Sequence, residues 1–195
     1  MPYLKEIVTE INRQFQVNIV NDKLIPQYTG ICTVVPVLDE ELSRFPTFMN
    51  EDGNAEFNAI DDRKNFCVYH KVNSKNINTY ESNFGDGNDT KRMVVDMSLI
   101  CFAKKSQLRL TSDEIEDLIL ATLPTELNYI WVSQYTGLSF VSIAATTIIS
   151  DAYEVWNSEF DNYKFMIRND QALFKLNYQI ELIYRQSCLQ TCQTC

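Results

Sequence analysis

Between Ala172 and Tyr184 every second residue is apolar (Ala172, Phe174, Leu176, Tyr178, Ile180, Leu182, Tyr184), while most of those between, Lys175, Asn177, Gln179 and Glu181 among them, are polar or charged. Side chains alternate between the faces of a strand, so this run predicts one long strand with one face in a core and the other largely in water, the pattern of an antiparallel sheet. At roughly 3.3 Å per residue it would be about 40 Å long, close to the width of a domain of this size. A second long strand is predicted from Met93, where Met93, Val95, Met97, Leu99, Cys101 and Ala103 alternate with residues that include Asp96, Ser98 and Lys104. Shorter strands are expected over residues 31–38, which Pro36 confines to an edge or an extended arm, and over residues 66–72. Residues 129–133 and 140–149 read as two strands of a hairpin turning at Thr136-Gly137. Tyr163, Phe165 and Ile167 alternate into the turn-compatible pair Asn169-Asp170, which leads into the last strand.

Helical spacing appears in three places. Leu4, Ile7, Val8, Ile11 and Phe15 form an apolar stripe behind Pro2, predicting an amphipathic helix over residues 3–15. Thr111-Ser112-Asp113-Glu114 supplies a capping box, followed by the stripe Ile115, Leu118, Ile119, Thr122 and Leu123, and Pro124 ends the helix. Asp151 with Glu154 three residues on opens a short helix presenting Tyr153, Trp156 and Phe160. Two stretches lack any period: residues 39–65, with Pro46 and the turn former Glu51-Asp52-Gly53-Asn54, and residues 73–90, where Asn, Ser, Gly and Asp dominate. The first is expected to be a long loop with at most one short helical turn, and the second a loop or an extended hairpin tip. The element order predicts an α+β domain, mainly antiparallel sheet with helices packed on one face, spanning residues 1–187, with a flexible cysteine-containing tail at 188–195. There is no internal repeat.

Composition narrows the functional classes. A chain of 195 residues that is 45% hydrophobic can bury a core without staples. Its 26 acidic residues outnumber 17 basic ones, for a net charge of −9, so the chain as a whole lacks the basic footprint of a protein that grips nucleic acid. The N-terminus has no secretory pattern, and no apolar run approaches the roughly 20 residues that span a bilayer, so a soluble protein made in a cytoplasm, with no membrane partner, is expected. Of the six cysteines, Cys32, Cys67 and Cys101 fall in apolar strand-like runs and read as small buried hydrophobes.

Candidate chemistry is sparse. Cys188, Cys192 and Cys195 have a C-x3-C-x2-C spacing that resembles the iron–sulfur signature of radical S-adenosylmethionine enzymes. That resemblance covers only the tail, and Thr194 stands where the family has an aromatic residue. Three thiolates also suit zinc with a fourth ligand from elsewhere, or disulfides, but a chain terminus rarely supplies the surrounding shell, and a solvent-exposed tail explains the segment better. His70 is the sole histidine and lies in an apolar strand, which favours a structural role. Gly85-Asp86-Gly87 lacks the remainder of a dinucleotide fingerprint, and the calcium-loop likeness at Asp52 to Glu56 fails at Phe57, where glycine is needed. Trp131 and Trp156 sit at core spacings with few basic neighbours. No catalytic, cofactor-binding or metal-ligating residue is assigned.

The element order, and in particular Val94 to Ala103 leading to the Thr111 to Leu123 helix, with Leu176 to Arg185 as closing strand, resembles the tail-terminator and tail-completion proteins of tailed bacteriophages. Asn-rich, Gly-poor and Pro-poor usage with many Ile and Tyr is also similar to proteins of phages infecting Bacteroidetes, including the crAss-like group. The resemblance implies a non-enzymatic virion protein: one subunit of a homo-oligomeric neck or tail ring that contacts portal, neck and tail proteins and lets DNA pass without specific binding. The two long segments would reach a neighbouring subunit through Phe48, Phe57 and Phe84. The alternative is a soluble α+β enzyme or binding domain with a metal-loaded or iron–sulfur cysteine tail. Metal in the purified protein would favour the latter.

Overall fold

The computed structural model describes residues 2–26, 31, 33–38, 44–49, 55–58, 64–79, 90–132, 134–135, 137–160 and 167–185. Its elements are α1 (Pro2–Asn18), β1 (Thr33–Leu38), β2 (Arg44–Met49), β3 (Ala55–Asn58), β4 (Phe66–Thr79), β5 (Thr90–Lys104), α2 (Lys105–Leu108), α3 (Ser112–Thr122), α4 (Tyr129–Val132), β6 (Leu138–Ile149), α5 (Ala152–Glu159) and β7 (Gln171–Arg185). The order in the four-stranded antiparallel sheet is β4-β5-β7-β6. This is an α+β fold with a mainly antiparallel sheet, as the periodicities predict. The chain groups into two compact units, residues 1–71, 98–123 and 147–176 in the first and 72–97, 124–146 and 177–195 in the second.

In the first unit, β4, β5 and β7 are buried on both faces. Tyr69 packs with Ile100, Leu173, and Val155, Trp156 and Phe160 of α5 and the residue that closes it. Its neighbour His70 points the other way, where Nε2 meets Oδ1 of Asn12 on α1 at 3.0 Å. Helices therefore cover both faces here, whereas the sequence suggested a single helical layer. α5 forms where expected, with Trp156 and Phe160 buried in the Tyr69 cluster, while Tyr153, read with them as one stripe, is 60% exposed. α1 buries Leu4, Ile7, Val8, Ile11 and Phe15 as expected, and Arg13 and Gln14 both donate to Glu10, which holds the Glu10 carboxyl below its usual range. At α3 the Thr111 hydroxyl accepts from the Glu114 N–H while Glu114 accepts from the Thr111 N–H, the reciprocal cap that the sequence announces. Leu123 leaves the helix in an extended conformation, as a residue before proline prefers.

β1, on the strand expected over residues 31–38, forms a separate three-stranded antiparallel sheet with β2 and β3, which lie inside what the sequence presents as a long loop over residues 39–65. Pro46 argued against a strand, but Pro36 and Pro46 are cross-strand partners, and neither has an N–H to donate. They therefore occupy a position where neither needs to donate to the other, and β2 begins pairing with β3 only at Thr47. Phe48 and Phe57 are likewise cross-strand partners. Of the loop or extended hairpin tip expected over 73–90, the extended alternative fits the described residues: β4 runs on to Thr79 and β5 starts at Thr90. An edge strand can be polar throughout, because its ladder is supplied by one neighbour and its faces need not be buried.

The second unit buries one face of its strands. Met93, Val95, Met97, Tyr178, Ile180, Leu182, Tyr184, Val141 and Ile143 are inside. The opposite face carries Arg92 paired with Glu181 through two bonds at 2.7 and 2.9 Å, and Asp96 accepting from Ser74 and Gln179. These donors hold the Glu181 and Asp96 carboxyls below their usual values. Residues 129–132, predicted as a strand, form the single turn α4 instead, because Asn128 caps it, its Oδ1 accepting from the Trp131 N–H at 2.9 Å. A short apolar run does not distinguish the two states by period alone. No hairpin with β6 exists there. Gly137, at φ 85°, delivers the chain into β6 in a left-handed conformation that suits glycine. Of the predicted strand at Tyr163 to Ile167, residues 161–166 lie outside the described residues, as do 80–89 and the tail 186–195.

Two predictions follow from this burial. Leu182→Asp places an uncompensated carboxylate at a fully buried position and abolishes folding, whereas Glu181→Gln loses only a half-exposed ion pair and changes stability by less than about 1 kcal/mol; circular dichroism and urea titration read both, and equal sensitivity would mean that β7 is buried on both faces in this unit. Burial pushes the His70 imidazole down from 6.5 to about 3. The unfolded chain then takes up a proton near pH 6.5 that the native protein refuses until about pH 3, so the His70 contribution is complete above pH 6.5 and is lost as pH falls, roughly 2 kcal/mol by pH 5. With one histidine in the chain, a single imidazole resonance should stay untitrated by NMR from pH 8 down to about pH 4; a midpoint near 6 would show that His70 is not sealed.

Candidate assembly edges and a polar cleft

β4 and β6 end the four-stranded sheet, and within the second unit both present exposed residues: Asn73, Ser74, Lys75, Asn76 and Ile77 on β4, and Ser139, Phe140, Ala144, Ala145 and Thr146 on β6. β6 carries no charge over its 12 residues. The outer side of β6 is met by Thr125 to Leu127, where the Leu127 N–H donates to the Val141 carbonyl at 3.2 Å and the Ile143 N–H to the Thr125 carbonyl at 2.8 Å. Val141 and Ile143 thus aim their backbone groups outward, and the two-residue repeat aims those of Ala145 outward as well. A long uncharged terminal strand is a template for pairing with another chain. The unit has an even number of alternating strands, so β4 of a second copy placed beside β6 would continue the antiparallel pattern.

In the first unit, the last residue of α5, Glu159, has its side chain 1% exposed and accepts from Lys71 at 2.7 Å and from Lys175 at 2.5 Å. A carboxylate at a helix C-terminus opposes the helix dipole, and the two ammonium groups offset that as well as its desolvation.

The first unit also holds an open cleft of about 400 Å³. Ser112 and Glu116 line it from α3, Ser150 and Ala152 from the entry into α5, Lys105 from the start of α2, and Ile167, Arg168, Asn169 and Gln171 from the turn into β7. The Lys105 N–H donates to the Asp170 carbonyl at 2.8 Å, and the Arg168 N–H to Oε1 of Gln171 at 2.9 Å, so backbone contacts fix the cationic wall. Glu116 is 9% exposed; its Oε2 accepts from the Ser150 hydroxyl at 2.8 Å. Its charge adds to burial in pushing the Cys101 thiol up.

Residues singled out from the sequence are scattered. Cys67 and Cys101 are buried, as expected of small hydrophobes, Trp156 is core, and Trp131 packs on Tyr135 with ring centroids 4.6 Å apart. Cys32, Phe84, Gly85 to Gly87, and Cys188, Cys192 and Cys195 lie outside the described residues. Among the described residues no group of three or more His, Cys, Asp or Glu side chains is placed to hold a metal, and no helix is long and apolar enough to cross a membrane. Glu116 was not singled out. Its one sequence signal is its place beside the stripe Ile115, Ile119 and Thr122, where a solvated charge is the ordinary expectation. Neither a scan against protein-family models nor a search of the curated proteins returns a match.

Glu159→Ala leaves two lysines facing an emptied buried position. It should destabilise the protein by about 3 kcal/mol, or of the order of 10 °C in melting temperature. Chemical denaturation measures the loss, and a change below about 1 kcal/mol would place this cluster with ordinary surface pairs.

Proposed function

We propose that this chain is a structural subunit of a tailed-bacteriophage virion, one copy in a homo-oligomeric ring of the neck or tail that joins portal to tail and surrounds the passing DNA. The observation that carries the reading is the pair of terminal strands: β6, long and without charge, and β4, polar with Lys75, at opposite ends of the strand order in the second unit. Strand addition between unlike edges is a head-to-tail interface, and such an interface closes into a ring when its rotation is right. The net charge of −9 supports the second part of the reading, since a lumen that receives enough of it repels the phosphate backbone and leaves DNA unbound. The role needs no catalytic group.

Native mass spectrometry of the purified chain, alone and co-expressed with candidate neck proteins, should show cyclic oligomers in at least one combination, with no DNA shifted in a gel at physiological salt. Ala145→Pro removes an outward N–H from an edge strand. It should therefore leave the circular dichroism spectrum unchanged and reduce the oligomer to monomer. A monomer in every combination, tight DNA binding, or an Ala145→Pro protein that still forms rings would each count against this assignment.

A further inference from the structure

The charged residues that line the first unit's cleft are two cations, Lys105 and Arg168, and one carboxylate, Glu116. The carboxylate offers a ligand no acceptor: Oε2 is bonded to the Ser150 hydroxyl at 2.8 Å, and Oε1 is sealed from solvent. The cations differ from it in reach. Arg168 is exposed and Lys105 half-buried, and each is fixed at its backbone, the Lys105 N–H on the Asp170 carbonyl at 2.8 Å and the Arg168 N–H on Oε1 of Gln171 at 2.9 Å. A long cationic side chain on a fixed backbone beside open space can bring its head over the cleft, as a sealed oxygen cannot. Asp170, which follows Asn169 in the turn, is not among the lining residues, so two cations against one carboxylate leave the lining a single positive charge. Ser112 and Asn169 add neutral hydrogen-bonding groups, and the half-buried Ala152 and Ile167 give an apolar wall. The volume of about 400 Å³ lies within the range of small-molecule sites and leaves room for an apolar body behind a charged head.

We propose that this cleft binds a small organic monocarboxylate, with its anionic head toward Lys105 and Arg168 and its apolar body against Ala152 and Ile167. The site lies within the first unit, and the inference does not rest on the ring assignment. One excess positive charge balances one carboxylate and not a doubly charged phosphate ester. A guanidinium's paired N–H groups match the two oxygens of a carboxylate, and an ammonium adds a point charge beside them. A cationic ligand has the wrong sign, since it would meet two like charges while Oε1 of Glu116 is sealed and Oε2 already bonded. The Glu116 charge opposes the ligand without touching it, which gives its removal a definite sign.

The test is NMR chemical-shift titration of the full chain with hexanoate, hexanol and hexylamine, which carry one apolar body under an anionic, a neutral and a cationic head, and with acetate, which is the head alone. Hexanoate at millimolar concentration should move resonances confined to residues around 105, 112–116, 150–152 and 167–174, and should bind roughly fivefold or more tightly than each of the other three. Arg168→Gln and Lys105→Gln each remove one cation from the lining and should weaken hexanoate by a similar factor while leaving hexanol unchanged. Lys64→Gln removes a cation of the same unit outside the lining and should leave hexanoate within about twofold. Glu116→Gln keeps the size of the side chain, removes the opposing charge, and should tighten hexanoate. No binding of hexanoate, hexanol or hexylamine binding as tightly, a loss in Glu116→Gln, hexanoate affinity unchanged in both Arg168→Gln and Lys105→Gln, or an equal loss in Lys64→Gln would overturn the proposal.

Discussion

A strand has two edges and two faces. β5 and β7, flanked on both sides by other strands, have their edges satisfied and only their faces left to cover or to wet. The whole fold follows from how each unit handles those faces. In the first unit, Leu99, Ile100, Cys101 and Phe102 are fully buried in succession, as are Leu173 and Phe174, so an apolar layer is needed above and below. α1 and α3 lie in contact with each other, α1 meets the His70 face, and α5 seals the Tyr69 face through Val155 and Trp156. In the second unit the same strands bury only alternate residues, and the other face is furnished with Arg92, Glu181, Asp96 and Gln179. One covering layer suffices there.

That difference explains what was legible. Alternation survives wherever one face is wet, so the outer part of β7, from Lys175 on, and β5 from Met93 could be read directly, and α1 and α3 showed their stripes and, for α3, its reciprocal cap. Where both faces are buried the alternation disappears, and Ser98, expected on a wet face, is fully inside. The exposed edge residues Asn73 to Ile77 carry no period because neither face is committed to a core. β2 was hidden by Pro46, whose place in a strand depends on a position where no N–H is required, and that is invisible until the register is known. The cleft was less legible still. Its lining comes from stretches near residues 105, 112–116, 150–152 and 167–174, and the contact that orients Glu116 joins residues 34 apart.

The buried polar groups of the first unit share one problem and meet it with different completeness. His70 stays neutral, since burial holds its imidazole down to about 3, and Nε2 meets Asn12. Glu159 keeps both oxygens occupied by ammonium groups. Glu116 has only Ser150, through one oxygen. Among the buried carboxylates described in this unit, Glu116 is the one held through a single oxygen.

The second unit raises a parallel question at its edge. Proteins that remain alone usually blunt a terminal strand with charge, proline or a covering segment. β6 has neither charge nor proline, and the covering segment, Thr125 to Leu127, bonds at Val141 and Ile143 and nowhere else among the described residues. Partial cover of this kind limits where anything can pair, because an incoming strand must start beyond Ile143. The exposed Ala144, Ala145 and Thr146 are small, so a partner backbone can approach without displacing side chains. An edge that was merely unprotected would pair promiscuously. One covered at a single point and small-faced beyond it leaves only the stretch from Ala144 on for a strand to join.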